Sequence, residues 1–271
     1  DGPDSTKAVH YMAEAMRRFY ADRSEYLGDP DFYHVPLTQL LSPSYIAGRR
    51  DSIHPGQATP STQVAPGPIQ ATAAHASQFE SGETTHFNVI DAKGNAAAVT
   101  YTLNGGFGCG VTVPGLGFLL NNEMDDFVAK PGWPNMFGLV GGEANSIQPG
   151  KRPLSSMNPT ILTQDGKLFM AVGAPGGSRI TTGVLEVILD VVDFNMNPQD
   201  AVDLPRFHNQ WKPDILYLQR GFDSETQQAL EKMGYKTEVT EGVARVEAIV
   251  VKNELLEGGT ESRLNGKVAA Y

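Results

Sequence analysis

The stretch Thr84-Thr85-His86-Phe87-Asn88-Val89 decides how the rest of the chain is read. It follows a long polar segment and opens a β-hairpin. The alternation from Thr85 to Asp91 predicts a strand. Asp91-Ala92-Lys93-Gly94-Asn95 reads as a turn, with Gly94 free to take positive φ. Ala96 to Leu103 returns as a strand rich in small residues, so something packs close against it. In such a hairpin Thr102 lies near the start of the first strand, and Thr100 shares its face. A threonine hydroxyl is a poor nucleophile at neutral pH. A neighbouring base activates it, and a free α-amino group on the same residue is such a base. Thr84 is therefore read as a nucleophile that comes into being when the Glu83–Thr84 bond is cut. His86 shares the strand face of Thr84, but a single His in a strand is ordinarily structural. A Thr pair before a strand is also ordinary β-propensity, so the weight falls on the rest of the chain.

The chain has 271 residues, enough for one large domain or two small ones. At 40% hydrophobic, with 29 Gly and 18 Pro, it reads as a folded, loop-rich protein. A formal net charge of −10 disfavours a nucleic-acid partner, which calls for a basic face. No apolar run approaches the roughly 20 residues that a membrane-spanning helix needs. The single cysteine, Cys109, excludes an internal disulfide. The first residue is Asp1, with neither Met nor a signal peptide, which reads as a piece of a longer precursor.

Upstream of Thr84, Ser5 caps a helix expected to run to about Arg23, with Val9, Met12, Met16 and Phe19 on one apolar face. Tyr20 to Phe32 is dense in charge and contains Gly28-Asp29-Pro30, which suggests an ion-paired turn, although from composition a solvated helix end is the commoner case. Ser42 to Arg49 reads as a short helix. Asp51 to Glu83 is rich in Pro, Ser, Thr, Gln and Gly and reads as an accessible linker. Downstream, Phe118 to Leu120 reads as a short buried strand. Asn121 through Phe127 follows, and carboxylates at a strand end suit a metal or a ligand ammonium group, although solvated loop charges are commoner. Val128 to Asn145 is a long loop with Trp133, Met136 and Phe137, read as a lid. Pro159 to Thr163 and Lys167 to Gly173 pair around Asp165-Gly166. Pro175-Gly176-Gly177-Ser178 then opens a helix to about Phe194, a place where free backbone N–H groups meet an anion. Helices at Asn197–Asp203 and Asp223–Met233 and strands at Lys236–Thr240 and Val246–Lys252 complete the chain.

Five linked motifs resemble the γ-glutamyltransferase family of N-terminal-nucleophile hydrolases. They are Thr84-Thr85-His86 with Thr100 through Asn104, Asn121 through Phe127, Arg152 through Met157, Pro175 through Arg179, and Pro205-Arg206-Phe207-His208. Tyr20 to Phe32 resembles the end of that family's large subunit. The resemblance implies that residues 1–83 end a large subunit and residues 84–271 form the small, catalytic subunit. It implies an α+β fold, the four-layer αββα sandwich, only part of which this chain supplies. The implied reaction is γ-glutamyl transfer from glutathione or other γ-glutamyl amides to an amino acid, a dipeptide or water. By match to the family, Thr84 is the nucleophile, Thr102 orients it, and Gly176 and Gly177 donate to the oxyanion. Asn104, Glu123 and Asp126 hold the substrate's α-amino end, Ser155 and Ser156 its α-carboxylate, and Phe137 is the aromatic of the lid. No metal or organic cofactor is implied. The missing large-subunit segment is the implied partner, and a periplasmic or secreted location the implied site of action. Glu261-Ser262-Arg263 stands where the family usually has Asp-Pro-Arg, and no site role is assigned to it. The competing readings are a β-lactam (cephalosporin) side-chain acylase of the same fold and an unprocessed, inactive fragment.

Overall fold

The computed structural model describes residues 2–69, 84–263 and 265–270. In chain order its elements are α1 (Thr6–Tyr26), α2 (Leu37–Leu40), α3 (Pro43–Asp51), β1 (Thr84–Ile90), β2 (Ala96–Thr102), β3 (Thr160–Gln164), β4 (Lys167–Gly173), α4 (Ile180–Val192), α5 (Pro198–Asp203), β5 (Phe207–His208), β6 (Leu216–Gln219), α6 (Ser224–Lys232), β7 (Thr237–Thr240), β8 (Glu247–Lys252) and β9 (Leu255–Thr260). They fall into two compact units. The first joins residues 1–81, 123–155 and 207–240; the second joins 82–122, 156–206 and 241–271.

The first unit is built on α1. Ser5 caps it by accepting from the Ala8 N–H, as expected, but the helix runs past Arg23 to Tyr26. Its burial is not that of one apolar stripe. Val9, Ala13 and Met16 pack with Leu216, Leu218 and Leu230 of the β5-β6-β7 sheet and α6. Phe19, expected on the same face, is exposed instead. A second, charged face is buried as well. Glu14 is wholly enclosed and accepts from Arg17 at 3.2 Å, Arg18 at 2.7 Å and the Thr59 N–H at 3.1 Å. Burial alone would push the Glu14 carboxyl up, but these partners more than offset it and hold it below its usual value. Arg17 also reaches Ser61 and Asp214.

Those contacts qualify the reading of Asp51 to Glu83 as an accessible linker. Over its described part, to residue 69, most residues are exposed but the segment is anchored at several points. Asp214 accepts from the Ser61 N–H at 2.8 Å, the Trp211 indole donates to the Val64 carbonyl at 2.8 Å, and Asp22 accepts from the Gly67 N–H at 2.7 Å. Residues 70–83 lie outside the described residues. The Tyr20 to Phe32 stretch does form an ion-paired turn: Asp29 takes both the backbone N–H and the guanidinium of Arg152, which holds its carboxyl far below the usual range.

In the second unit β1 and β2 pair antiparallel with Thr84 opposite Thr102. A four-stranded sheet in the order β3-β4-β8-β9 carries α4 and α5, and Met170, Val172, Val184, Val187 and Val250 lie in its core. α4 begins later than the sequence indicates, after a 3-10 turn over Gly177–Arg179. Its buried face is Val184, Val187 and Val191, whereas Leu185 is exposed. Phe118 to Leu120 is not a buried strand: it contributes a single bridge, Thr112 to Leu119, and Phe118 and Leu120 are exposed.

The tail of this unit has a firm structural place. Glu261 is 2% exposed and pairs with the enclosed Arg206 and with Arg263. Arg206 also donates to the Val202 and Ala244 carbonyls. Among the described residues no helix is long and apolar enough to cross a membrane.

Candidate active site

Strand pairing brings the two threonines together. Thr84 and Thr102 are register partners, so their side chains leave the same face of the hairpin. The Thr84 hydroxyl donates to Thr102 Oγ1 at 2.9 Å. Thr102 Oγ1 also accepts from the Asn104 N–H at 2.8 Å, which fixes that oxygen from the other side. Asn104 is a left-handed residue, at φ 71°, and is 4% exposed. This turn of the chain carries its side chain to the Asn122 carbonyl at 3.4 Å, while Asn122 Oδ1 accepts from the Gly105 N–H at 2.7 Å. Asparagine tolerates the conformation better than most residues because its short polar side chain bonds locally.

His86 occupies the same face, one pair further along. Its ring nitrogens contact Thr100 Oγ1 at 2.8 Å and Asn88 Oδ1 at 3.0 Å. The Asn88 oxygen needs a donor, so Nε2 carries the proton and Nδ1 accepts from the Thr100 hydroxyl. Burial pushes the His86 pKa down, in keeping with a neutral ring. Gly173 on β4 makes room for it, since a Cβ there would lie 2.2 Å from the ring. His86 is thus a packed, fully engaged side chain two residues from Thr84, and no ring nitrogen is left to act as its base.

Gly176 and Gly177 stand at φ 145° and φ 56° where the chain leaves β4 for α4. Positive φ at both suits residues without a Cβ. The first residues of a helical turn have N–H groups without intrahelical acceptors, the raw material of an oxyanion site. Nearby the Arg245 N–H donates to the Pro175 carbonyl at 3.1 Å. Ser156 belongs to this unit too, and its carbonyl accepts from Thr181 at 3.4 Å.

The carboxylates form a second set, in the first unit. Glu123 to Asp126 is one 3-10 turn. Asp126 and Asp125 line a cavity with Arg23, Lys130, Trp133 and Asn145. Burial chiefly, and the charge of Glu123 next, raise Asp126 to about 7 against the pull of Arg23. Glu123 is raised by burial. Ser155 ends this unit and is exposed.

Phe137 does not stand free as an aromatic gate. It is 6% exposed, packs with Tyr20, Val64, Leu139 and Trp211, and its carbonyl accepts from Gln210 at 3.0 Å. The exposed aromatic of that loop is Trp133, with Lys130 over its ring at 4.3 Å. A large apolar side chain in a Gly-rich loop signals an anchor as readily as a gate, and here the anchor prevails. Arg23 and Asn145 were not singled out from sequence. The only signal was the density of charge around Arg23 and the position of Asn145 at the end of the loop.

The gamma-glutamyltranspeptidase family model matches residues 1–271. The glutathione hydrolase proenzyme of Escherichia coli strain K12 is 48% identical over 250 residues, covering 92% of this chain and 42% of that protein. The chain therefore spans less than half the length of that relative. Among solved structures, a gamma-glutamyltranspeptidase from Pseudomonas nitroreducens complexed with L-DON matches with TM-score 0.67 and 44% identity, covering 69% of this chain and 99% of its own. A cephalosporin acylase from Bacillus halodurans matches with TM-score 0.82 and 28% identity, covering 99% of this chain and 46% of its own. The fold is accordingly the α+β fold of these N-terminal-nucleophile hydrolases, and the chain belongs to the gamma-glutamyltranspeptidase family.

Proposed function

We propose that this protein transfers γ-glutamyl groups from glutathione and other γ-glutamyl amides to amino acids, dipeptides or water. The observation that carries the reading is the Thr84–Thr102 pair, held at 2.9 Å by strand register. Scission between Glu83 and Thr84 turns the Thr84 amide nitrogen into a free α-amine. That amine takes the hydroxyl proton as Oγ1 attacks the γ-carbonyl carbon of the donor. The N–H groups of Gly176 and Gly177 stabilise the oxyanion, each such donor being worth about 3 to 4 kcal/mol in the transition state. The C–N bond then breaks, the leaving amine takes the proton, and an ester on Thr84 remains. Water or an acceptor amine attacks that ester and restores the hydroxyl.

In this reading Asn104, Glu123 and Asp126 hold the donor's ammonium group, and Ser155 and Ser156 its α-carboxylate. The word proenzyme in the name of the Escherichia coli relative supports a scission step. Residues 84–271 make up the same share of this chain as the Pseudomonas nitroreducens chain covers, which supports a boundary at Thr84. Phe87, Val89, Val99 and Tyr101 stand exposed on the other face of the hairpin, which supports a further chain segment as its cover. The family resemblance carries with it a periplasmic or secreted site of action.

The acylase reading is favoured by one observation, the whole-chain likeness to the cephalosporin acylase. A substrate panel separates the two. Glutathione and a γ-glutamyl anilide are expected to turn over at least about tenfold faster in kcat/KM than a glutaryl cephalosporin, because a site with buried polar partners penalises a ligand that lacks the matching group. The reverse order would make the protein an acylase.

The pH dependence follows from Asp126. Its carboxyl is protonated below about 7 and charged above it. A charged carboxylate binds an ammonium group and a neutral one does so weakly. KM for a γ-glutamyl donor is therefore expected to fall as pH rises through about 7, and Asp126→Asn should flatten that limb of the profile. Steady-state kinetics over that window, on both forms, is the measurement.

A further inference from the structure

We infer that Asn145 is a positioning residue that sets the spacing between the two ends of the α-amino-acid clamp. The inference rests on the reading of Asp126 and Ser155 given above. Asn145 is 6% exposed and uses both ends of its side-chain amide. Nδ2 donates to the Asp126 carbonyl at 2.7 Å, and Oδ1 accepts from the Leu154 N–H, one residue before Ser155, at 2.9 Å. Its main chain adds a third tie, the Asn145 carbonyl accepting from the Val128 N–H at 2.9 Å. The residues that bear the ammonium partner and the carboxylate partner thus hang from one planar group. Neither Asp nor Leu side chains make these bonds, so the amide acts on backbone position and not on substrate.

The base of the strut is itself fixed. Gly28 lies two residues beyond the last residue of α1, and a Cβ there would lie 2.0 Å from the Ala144 carbonyl oxygen. The Gly142 N–H donates to the Ser24 carbonyl at 2.8 Å. Residues 142–145 are seated directly on the end of α1, and α1 also supplies Arg23, whose charge acts on Asp126. The amide fits the role: it gives a hydrogen to one carbonyl and takes one from an N–H, which a carboxylate cannot do.

The two arms can be cut separately. Asn145→Asp keeps an oxygen for the Leu154 N–H but sets a second oxygen against the Asp126 carbonyl. The readout is competitive inhibition of γ-glutamyl anilide hydrolysis by L-glutamate and by glutarate, which lacks the amine, in the full processed protein. L-glutamate is expected to weaken about tenfold, the usual cost of one lost buried hydrogen bond, while glutarate stays within about twofold. Equal weakening of both acids, or of neither, overturns the inference. Should Asn145→Asp fail to fold or to be cut at Thr84, Asn145→Ser brings in no charge and drops both arms. It is expected to weaken both acids with kcat held within about twofold, and wild-type inhibition by both would overturn the inference. If the wild-type protein itself does not distinguish L-glutamate from glutarate, the assignment of Asp126 fails first, and the role of Asn145 falls with it.

Discussion

Thr84→Ala is expected to leave the chain uncut at Glu83–Thr84 and to lower γ-glutamyl hydrolysis by about a thousandfold or more. Both effects come from one oxygen. In the folded protein Thr84 Oγ1 is held by Thr102, whose own oxygen is fixed by the Asn104 N–H, so the hydroxyl is oriented by the hairpin itself. In the proposed mechanism, attack of that hydroxyl on the Glu83 carbonyl gives an ester, hydrolysis of the ester gives a free Thr84 amine, and the same oxygen is then the nucleophile toward the donor. Intact mass after purification reads the first effect, and release of an anilide chromophore reads the second. A Thr84→Ala protein that is still cut between the same residues would remove Thr84 from both roles. Thr84→Ser separates loss of the oxygen from loss of the methyl group and should retain scission.

Asp126→Ala is expected to raise KM for γ-glutamyl donors with scission at Thr84 intact. Removing one partner of a buried, hydrogen-bonded charge pair costs about 2 to 5 kcal/mol, or about thirtyfold to several thousandfold in binding. The stability effect has the opposite sign. The folded carboxyl titrates near 7 and the unfolded one near 3.8, so the folded state binds more protons between those values. Its contribution to stability is therefore fully present below the unfolded pKa and is lost as pH rises through the folded one. At a pH above about 7 the unliganded Asp126→Ala protein should then be no less stable than wild type. Titration of KM together with thermal unfolding at two pH values checks both halves. An unchanged kcat/KM would mark residues 121–127 as an ordinary solvated loop.

The hairpin was legible in the sequence because its signals agree. Alternation and a Gly-bearing turn put Thr102 near the start of the first strand, and the structure pairs it with Thr84. The strands β5, β6 and β9 were not legible. β5 has two residues, β6 follows Pro213-Asp214, and β9 contains Gly258-Gly259, each of which reads as a turn from local composition. Gly259 lies where a Cβ would be 2.4 Å from the Pro198 carbonyl oxygen, so tertiary packing selects the glycine there. Asn145 was illegible for a different reason. Its partners are backbone groups 19 and 9 residues away, and a backbone partner leaves no trace in residue type. The buried charge was illegible in the same way. Glu14, Arg17 and Arg18 carry no signal of burial in residue type, yet they satisfy one another and the segment at Thr59 to Ser61.

That buried charge network has a consequence for the fate of the cut chain. The first unit takes residues from both sides of Thr84: Glu14, Arg17 and Ser61 from before it, Asp214 and Trp211 from after it. A cut before Thr84 would therefore leave the first unit built from both pieces. Scission would leave the two polypeptides sharing one hydrophobic core and the Arg17–Asp214 ion pair, an interface made while they were still a single strand. Such a pair has no separately folded partners to return to once it is pulled apart. Denaturing the mature protein should then erase the instructions for its own reassembly, because the loop closure that brought Ser61 to Asp214 was entropically cheap only while the chain was continuous.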